Sequence, residues 1–241
     1  MVPRFHVDAP LRAGSTCTLP EDAAHHALHV LRLRAGDEVT LFDGRGGEYA
    51  GRIASLGKRE LLIDVLQHRE VEREAPLRMV LVQGVSSGER MDFTIRKAVE
   101  LGVAAVHPVL AAASVARPKA ERAAARRGHW QKVAISACEQ CGRNRIPEVH
   151  ELVTVQQLPA DASPHKILLS PRAELRFSQA CRKIEASATL AAGPEAGFNA
   201  AEEAALLDLG FVPAKLGARV LRTETAALAA LAALNALRGD F

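Results

Sequence analysis

The stretch LRMVLVQG (77–84), VSSGERMDFTIRKAVEL (85–101) and GVAAVHPV (102–109) decides the fold class. Its first segment is an apolar run of strand length that ends at a glycine. The period then lengthens. Ser86 and Glu89 have capping-box spacing, and Gly102 directly after Leu101 is the usual end of a helix. VAAVHPV (103–109) reads as a second strand, so the stretch is a β-α-β unit, the building block of a mainly parallel sheet.

Toward the C-terminus the alternation continues. A long basic helix ends by Pro147, because the residue before a proline is pushed out of the helical region. KILLS (166–170), ATLAAG (188–193) and PAKLG (213–217) are short strands with helices between them. Asn199 and Glu202 cap the helix after 193, and Gly210 stops it. The last helix, Glu224–Leu237, is apolar on almost every side, with Asn235 its one polar interruption after Thr225. Such a helix belongs in a core or between subunits. Part of it is expected to pack across a two-fold axis, so that a charge at Leu231 or Leu234 separates the subunits.

Toward the N-terminus, Glu21–Arg34 reads as a helix with Ala24, Leu28 and Leu31 on one face. EVTLFD (38–43), EYAGRIASL (48–56) and ELLIDVLQ (60–67) alternate like strands, with GRGG (44–47) and LGK (56–58) as turns. Short strands joined by glycine turns suggest a small β-barrel or sheet. The charged HREVEREAP (68–76) marks the boundary, giving two domains, 1–72 and 73–241.

A chain of 241 residues with 48% hydrophobic residues can bury a sizeable core without metals or disulfides. Disorder as the main state is therefore excluded. No apolar run approaches the roughly 18 residues that span a membrane. MVPRFHVDAPLRAG has no apolar core of a secretory signal, and four cysteines are no disulfide framework, so a reduced, cytoplasmic protein is expected. The net charge of +3 is unevenly placed. Residues 1–74 carry ten Lys/Arg against twelve Asp/Glu, whereas 117–145 alone carry eight basic residues against Glu121 and Glu139. Such a stretch (Arg117, Lys119, Arg122, Arg126, Arg127, Lys132, Arg143, Arg145) is either a solvated helix face or a contact for a phosphate backbone.

Three loops follow short strands, where ligands bind in open α/β sheets: Ser170–Pro171–Arg172, Gly193–Pro194–Glu195–Ala196–Gly197 and Leu216–Gly217–Ala218–Arg219. Glycines let backbone approach a ligand, and Glu195 sets a carboxylate at the mouth. An ordinary Gly/Pro turn before a capped helix reads the same way. Neither GxGxxG nor GxxxxGK[ST] occurs, which removes support for a dinucleotide or P-loop site. Arg222 precedes Thr223, Glu224 and Thr225 at a helix start, where Thr223 or Thr225 is the expected N-cap. A cation there is unfavourable and calls for an anionic partner. Cys138–Glu–Gln–Cys141 has no second pair to complete a zinc site, so no metal is expected. His25, His26 and His29 read as surface or packing residues.

GPEAG (193–197), LGARVLRTETAAL (216–228), RKAVELGV (96–103) and ACEQCGRNRIPE (137–148) together resemble the bacterial 16S ribosomal RNA uracil-N3 methyltransferase family of the SPOUT superfamily. PRFHV and HHALHVLRLRAGDEVTLFDGRGGEY resemble that family's N-terminal PUA-like barrel, so the resemblance covers nearly the whole chain. It implies a PUA-like β-barrel followed by an α/β domain with a C-terminal trefoil knot, a homodimer, S-adenosylmethionine as cofactor, and 16S rRNA in the small ribosomal subunit as partner. It further implies cofactor contacts at Leu169, Ser170, Gly193, Pro194, Glu195, Gly197, Leu216, Gly217, Val220, Leu221 and Thr225. Arg222 and Glu195 are then the catalytic candidates. Arg222 would stabilise charge on the base or hold a phosphate; Glu195 would orient the cofactor, pair with an arginine or act as a base. RNA contacts are implied at Arg4, Arg32, Lys97, Arg126, Arg127, Glu139, Arg143 and Asn144. The family loop is usually Gly-Pro-Glu-Gly-Gly, and Ala196 departs from it; a positive φ there would cost alanine about 1 kcal/mol. The alternatives are an RNA-binding ribosome-assembly factor without turnover and a SPOUT enzyme acting on another rRNA or tRNA nucleotide.

Overall fold

The structure, a computed structural model, describes residues 2–57, 60–112, 120–160 and 162–241. Its contacts form two compact units, Met1–Glu74 with Cys138–Ile146, and Ala75–Ala137 with Pro147–Phe241.

The first unit holds β1 (Arg4–His6), β2 (Thr16–Thr18), α1 (Glu21–His25), β3 (Glu38–Phe42), β4 (Glu48–Leu56) and β5 (Leu61–Arg69). The strands make one sheet in the order β1-β3-β4-β5-β2. Leu61, Ile63 and Val65 alternate inward along β5 and pack with Phe5, Leu41 and Ile53. β1 and β2 escape the sequence pattern because three residues are too few to show alternation.

The helix expected over 21–34 is shorter. α1 stops at His25 and widens into a π-turn over His26–Val30, where the Leu31 N–H reaches the His26 carbonyl. Arg32 then takes φ 55°, and the Leu33 N–H closes back on the Ala27 carbonyl at 3.0 Å. The extra residue per turn rotates the buried face. Ala24 and Ala27 enter the core, whereas Leu31 is 39% exposed. His25, His26 and His29 are exposed, as expected of surface residues.

The second unit holds β6 (Arg78–Gly84), α2 (Glu89–Glu100), β7 (Val103–Leu110), most of α3 (Ala120–Cys141), β8 (Glu148–Val149), β9 (Val153–Thr154), β10 (Lys166–Leu169), α4 (Phe177–Ala180), β11 (Ser187–Ala192), α5 (Ala200–Asp208), β12 (Val212–Ala214) and α6 (Thr223–Arg238). Its sheet runs β12-β10-β11-β6-β7-β8, with β9 also on β7, and every pairing is parallel. The β-α-β reading of 77–109 is borne out, with one correction. Ser86 does not cap α2. The chain turns into the helix through Gly88 at φ 57°, and no side chain caps it, because Ser86 is itself buried. The Asn199–Glu202 box forms as expected, and the Glu202 carboxylate also accepts the Ala112 N–H at 2.6 Å.

The expectation for Leu231 and Leu234 is corrected. Both are fully buried within the chain, where α6 packs on α2, β6 and β11. Ala227 and Ala230 share that face, and Asn235 donates to the Leu101 carbonyl at 2.8 Å. The all-round apolar pattern hid which side is inward, because alanine fits a core and a surface equally well.

Candidate active site

A cleft of about 640 Å³, large enough for a cofactor-sized molecule, opens within the second unit at the carboxyl ends of β10, β11 and β12. Its walls are the three loops singled out in the sequence plus the start of α6. Leu169, Ser170, Gly193, Pro194, Glu195, Gly197, Leu216, Gly217, Val220, Leu221 and Arg222 all line it. Thr225 does not: it is exposed and outside the lining, one residue beyond Glu224 on the helix.

Local chemistry explains how 193–197 is held. The end of β6 lies against the loop so closely that a Cβ on Gly84 would meet the Pro194 nitrogen at 2.4 Å. The Gly197 N–H returns to the Pro194 carbonyl at 2.8 Å, and Gly197 takes φ 75°. The left-handed residue of this turn is thus Gly197. Among the described residues Arg32 is the one non-glycine with positive φ, so Ala196 carries no such strain. Gly217, at φ 151°, faces open space where a side chain would stand.

Glu195 is fixed by three groups. Arg90 Nη1 lies 2.8 Å from its Oε1, and the Ser87 N–H and hydroxyl reach the same oxygen at 3.2 and 3.4 Å. Burial pushes its pKa up, but its own N–H, the Ser87 N–H and the Arg90 guanidinium outweigh that and hold the carboxyl below its ordinary value. Arg222 occupies the N-cap position of α6 and is exposed. Among the described residues its guanidinium has no hydrogen bond or ion pair, so it is available to an anion. Thr223, expected as an N-cap, is the first helical residue instead. Its hydroxyl donates to the Gly193 carbonyl and accepts from Gln83 Nε2 at 2.9 Å.

Sequence reasoning missed Arg90 and Gln83, and placed Glu224 only in the polar cluster beside Arg222. Gln83 was legible as a polar residue near the end of an apolar strand; Arg90 carried no comparable signal. Glu224 lines the cleft, and its Oε2 is buried without a partner among the described residues. Such an acceptor wants a donor from a ligand. Leu169, Leu216, Val220, Leu221 and Ala226 add apolar wall. A cleft with apolar sides, glycine-rich backbone and carboxylates at its rim fits S-adenosylmethionine, which carries an apolar body, hydrogen-bonding ends and a positive charge. No group of three or more His, Cys, Asp and Glu side chains among the described residues is arranged to hold a metal ion.

Several residues expected on the RNA side are engaged elsewhere, and this corrects the expectation. Arg4 is partly buried in the first unit and its guanidinium is held between Glu48 and Asn144, each at 2.6 Å. Arg143 is 4% exposed and ion-paired with Glu74. Asn144 is fully buried and donates to the Val71 carbonyl. Glu139 accepts the His6 N–H at 3.0 Å, and burial raises its pKa despite that bond. These side chains tie 138–146 to the first unit, which leaves them no face for a phosphate. Lys97 pairs with Glu100 at 2.8 Å, and Arg127 donates to the Val149 carbonyl at 2.9 Å. Arg32, Arg122 and Arg126 are exposed; Arg117 and Lys119 lie outside the described residues. Cys138 is buried, and burial pushes its thiol up to about 12, the state of an inert cysteine rather than a redox one.

An RNA methyltransferase domain matches residues 73–235, and an RNA methyltransferase PUA domain matches 19–66. The ribosomal RNA small subunit methyltransferase E of Buchnera aphidicola (subsp. Schizaphis graminum) is 32% identical over 99% of this chain and 98% of its own. That of Bacillus subtilis is 31% identical over 95% of each. A Neisseria gonorrhoeae ribosomal RNA small subunit methyltransferase E, solved bound to S-adenosyl methionine, matches with a TM-score of 0.91 and 37% identity over the whole of both chains. A Legionella pneumophila protein solved with bound SAM matches with a TM-score of 0.95 and 34% identity, again over both whole chains. Domain content and length agree, and the chain belongs to the ribosomal RNA small subunit methyltransferase E family.

Proposed function

We propose that this chain methylates N3 of a uridine in 16S ribosomal RNA, using S-adenosylmethionine, and that it acts in the cytoplasm as a homodimer on the small ribosomal subunit. The observation that carries the reading is the cleft, where 193–197 and 216–222 meet with the unpaired cation of Arg222 at its mouth. We read residues 1–72 as a PUA-like RNA-binding domain and residues 73–241 as a SPOUT methyltransferase domain with a C-terminal trefoil knot.

When bound, the cofactor supplies a methyl group already activated on a sulfonium. The backbone of 193–197 and 216–221, which lines the cleft, would hold the cofactor there and fix its orientation toward the base. Uridine N3 carries a proton at neutral pH and must lose it, here to solvent water, before its lone pair can attack. Arg222 favours the deprotonated base by meeting the negative charge that develops on it. Glu195 orients. Its carboxyl is held ionised by Arg90 and Ser87, and a carboxyl below its ordinary pKa is a weak base. The exposed Arg32, Arg122 and Arg126 give the RNA backbone its phosphate partners.

The test is methylation of small-subunit rRNA from a strain lacking the gene, with labelled S-adenosylmethionine and mass mapping of the modified nucleotide. A labelled N3-methyluridine in 16S rRNA is expected. Label on another nucleotide overturns the position, and no transfer despite RNA binding points to the assembly factor.

A further inference from the structure

We propose that Gln83 and Thr223 are positioning residues of the methyl transfer, a two-link hydrogen-bond relay that sets the Gly193 peptide and through it the cofactor loop. This rests on the reading of 193–197 and 216–226 as the S-adenosylmethionine cleft. Gln83 is the penultimate residue of β6 and is fully buried. Both protons of its Nε2 are used, one toward the Gly84 carbonyl at 3.0 Å and one toward Thr223 Oγ1 at 2.9 Å. The Thr223 hydroxyl, itself 6% exposed, spends its single proton on the Gly193 carbonyl. The polarity is thereby fixed. A flipped Gln83 amide would set its oxygen against the Gly84 carbonyl, and a reversed Thr223 hydroxyl would leave the Gly193 carbonyl without its donor.

The relay joins three segments distant in sequence: the end of β6, the end of β11 and the first turn of α6. Packing reinforces it, since Gly84 and Pro194 meet backbone to backbone with no room for a Cβ. Neither side chain of the relay is needed to fill the core, where a valine or methionine would serve. The hydrogen bonds from Gln83 through Thr223 to Gly193 run in one direction, which suits a positioning function. Proline supplies no N–H at 194, so the Gly193 carbonyl is the handle by which the protein can orient the turn that carries Glu195. Buried hydrogen bonds in a dry network are costly to half-remove, which suits them to hold one loop geometry. The unpartnered Glu224 Oε2 lies one residue beyond Thr223, so the same link also sets the helix turn that presents it to the cleft.

The experiment compares wild type with Thr223→Val, Thr223→Ser, Gln83→Met and Gln83→Glu in the full chain. It measures S-adenosylmethionine affinity by calorimetry, KM and kcat for methyl transfer, and the melting temperature without cofactor. Val and Met keep shape but break the relay. Both should raise the cofactor Kd and KM by about tenfold while kcat at saturating cofactor falls less, because a lost buried hydrogen bond is expressed in loop placement. Thr223→Ser keeps the hydroxyl and should restore affinity to within about twofold of wild type. Gln83→Glu replaces the donor by an acceptor and should be at least as impaired as Gln83→Met. If Thr223→Val and Thr223→Ser share one affinity, or if the affinity loss only follows a fall in melting temperature, the relay is overturned. Wild type that binds no S-adenosylmethionine overturns the cleft reading first and the relay with it.

Discussion

Arg90 and Glu195 hold each other at 2.8 Å across 105 positions of sequence, joining the first turn of α2 to the loop after β11. Burial pushes the Glu195 carboxyl up, but its own N–H, the Ser87 N–H and this arginine together hold it below its ordinary pKa. A depressed carboxyl contributes fully above its unfolded value and loses that contribution as pH falls through its folded value. Cofactor affinity should therefore show no Glu195-linked change between about pH 6 and 8, where an ordinary carboxyl is also ionised. Arg90→Ala should move the acid limb of the affinity profile to higher pH. Calorimetric titrations at a series of pH values check this; coincident limbs would mean that the arginine does not tune the loop.

Gly217 should be intolerant of a side chain for a ligand's sake rather than the protein's. A Cβ there meets no protein atom within 4 Å, so Gly217→Val costs the fold about 1 kcal/mol through its backbone angle alone. Its side chain would enter the cleft, and cofactor affinity should drop by at least about tenfold. Affinity equal to wild type, with the melting point barely moved, would remove Gly217 from the site.

Arg126 is exposed and makes no side-chain hydrogen bond or ion pair among the described residues, whereas Arg127 is bound to the Val149 carbonyl and lies 3.7 Å from Glu148. Arg126→Gln should weaken RNA binding and lower the slope of log affinity against log salt by about one unit. Arg127→Gln should reduce the slope less and lower stability more. Filter binding across a salt series separates the two; an unchanged slope for Arg126→Gln makes that helix face merely solvated.

A charge at Leu231 should act on folding, not assembly. The side chain is fully buried within the chain, and an unpaired carboxylate there costs about 4 kcal/mol or more. Leu231→Asp is expected to melt well below wild type or not to fold. A folded monomer with native melting temperature would return this residue to an interface.

Arg143→Ala should destabilise the first unit by about 3 kcal/mol, because it leaves Glu74 without its buried partner. Acid should add to the loss. Burial pushes the Glu48 carboxyl up, but hydrogen bonds from Arg4 and Arg73 prevail and hold it below its ordinary value, so its contribution disappears as pH falls through that lowered value. Urea midpoints of wild type and variant at neutral and acid pH test both statements.

What the sequence made legible follows from what each signal is. The parallel sheet was readable because short apolar strands alternate with capped helices, and the cleft because glycine and proline mark backbone that must approach something. Orientation was not readable. The spacing of Arg143 and Asn144 beside a basic helix resembles a phosphate site as much as a buried clamp, and only the partners Glu74, Arg4 and Val71 decide between them. Thr223 illustrates the same limit. A threonine at a helix start caps by default, unless a carbonyl from a distant strand takes its hydroxyl, as Gly193 does here.

The nine residues Cys138–Ile146 belong by contact to the first unit yet are encoded inside the second. The chain thus visits its N-terminal unit twice, and that unit is no contiguous cassette. A gene cut after Glu74 would separate Arg143 from Glu74 and Asn144 from Arg4 and Val71, stripping both fragments of their polar closure. Recombination that exchanges only the leading segment would import a sheet whose matching clasp stays behind in the recipient. Any successful module swap, natural or engineered, must carry both pieces together, so the N-terminal unit of this chain is constrained to evolve in step with the segment Cys138–Ile146, encoded far downstream of its own boundary.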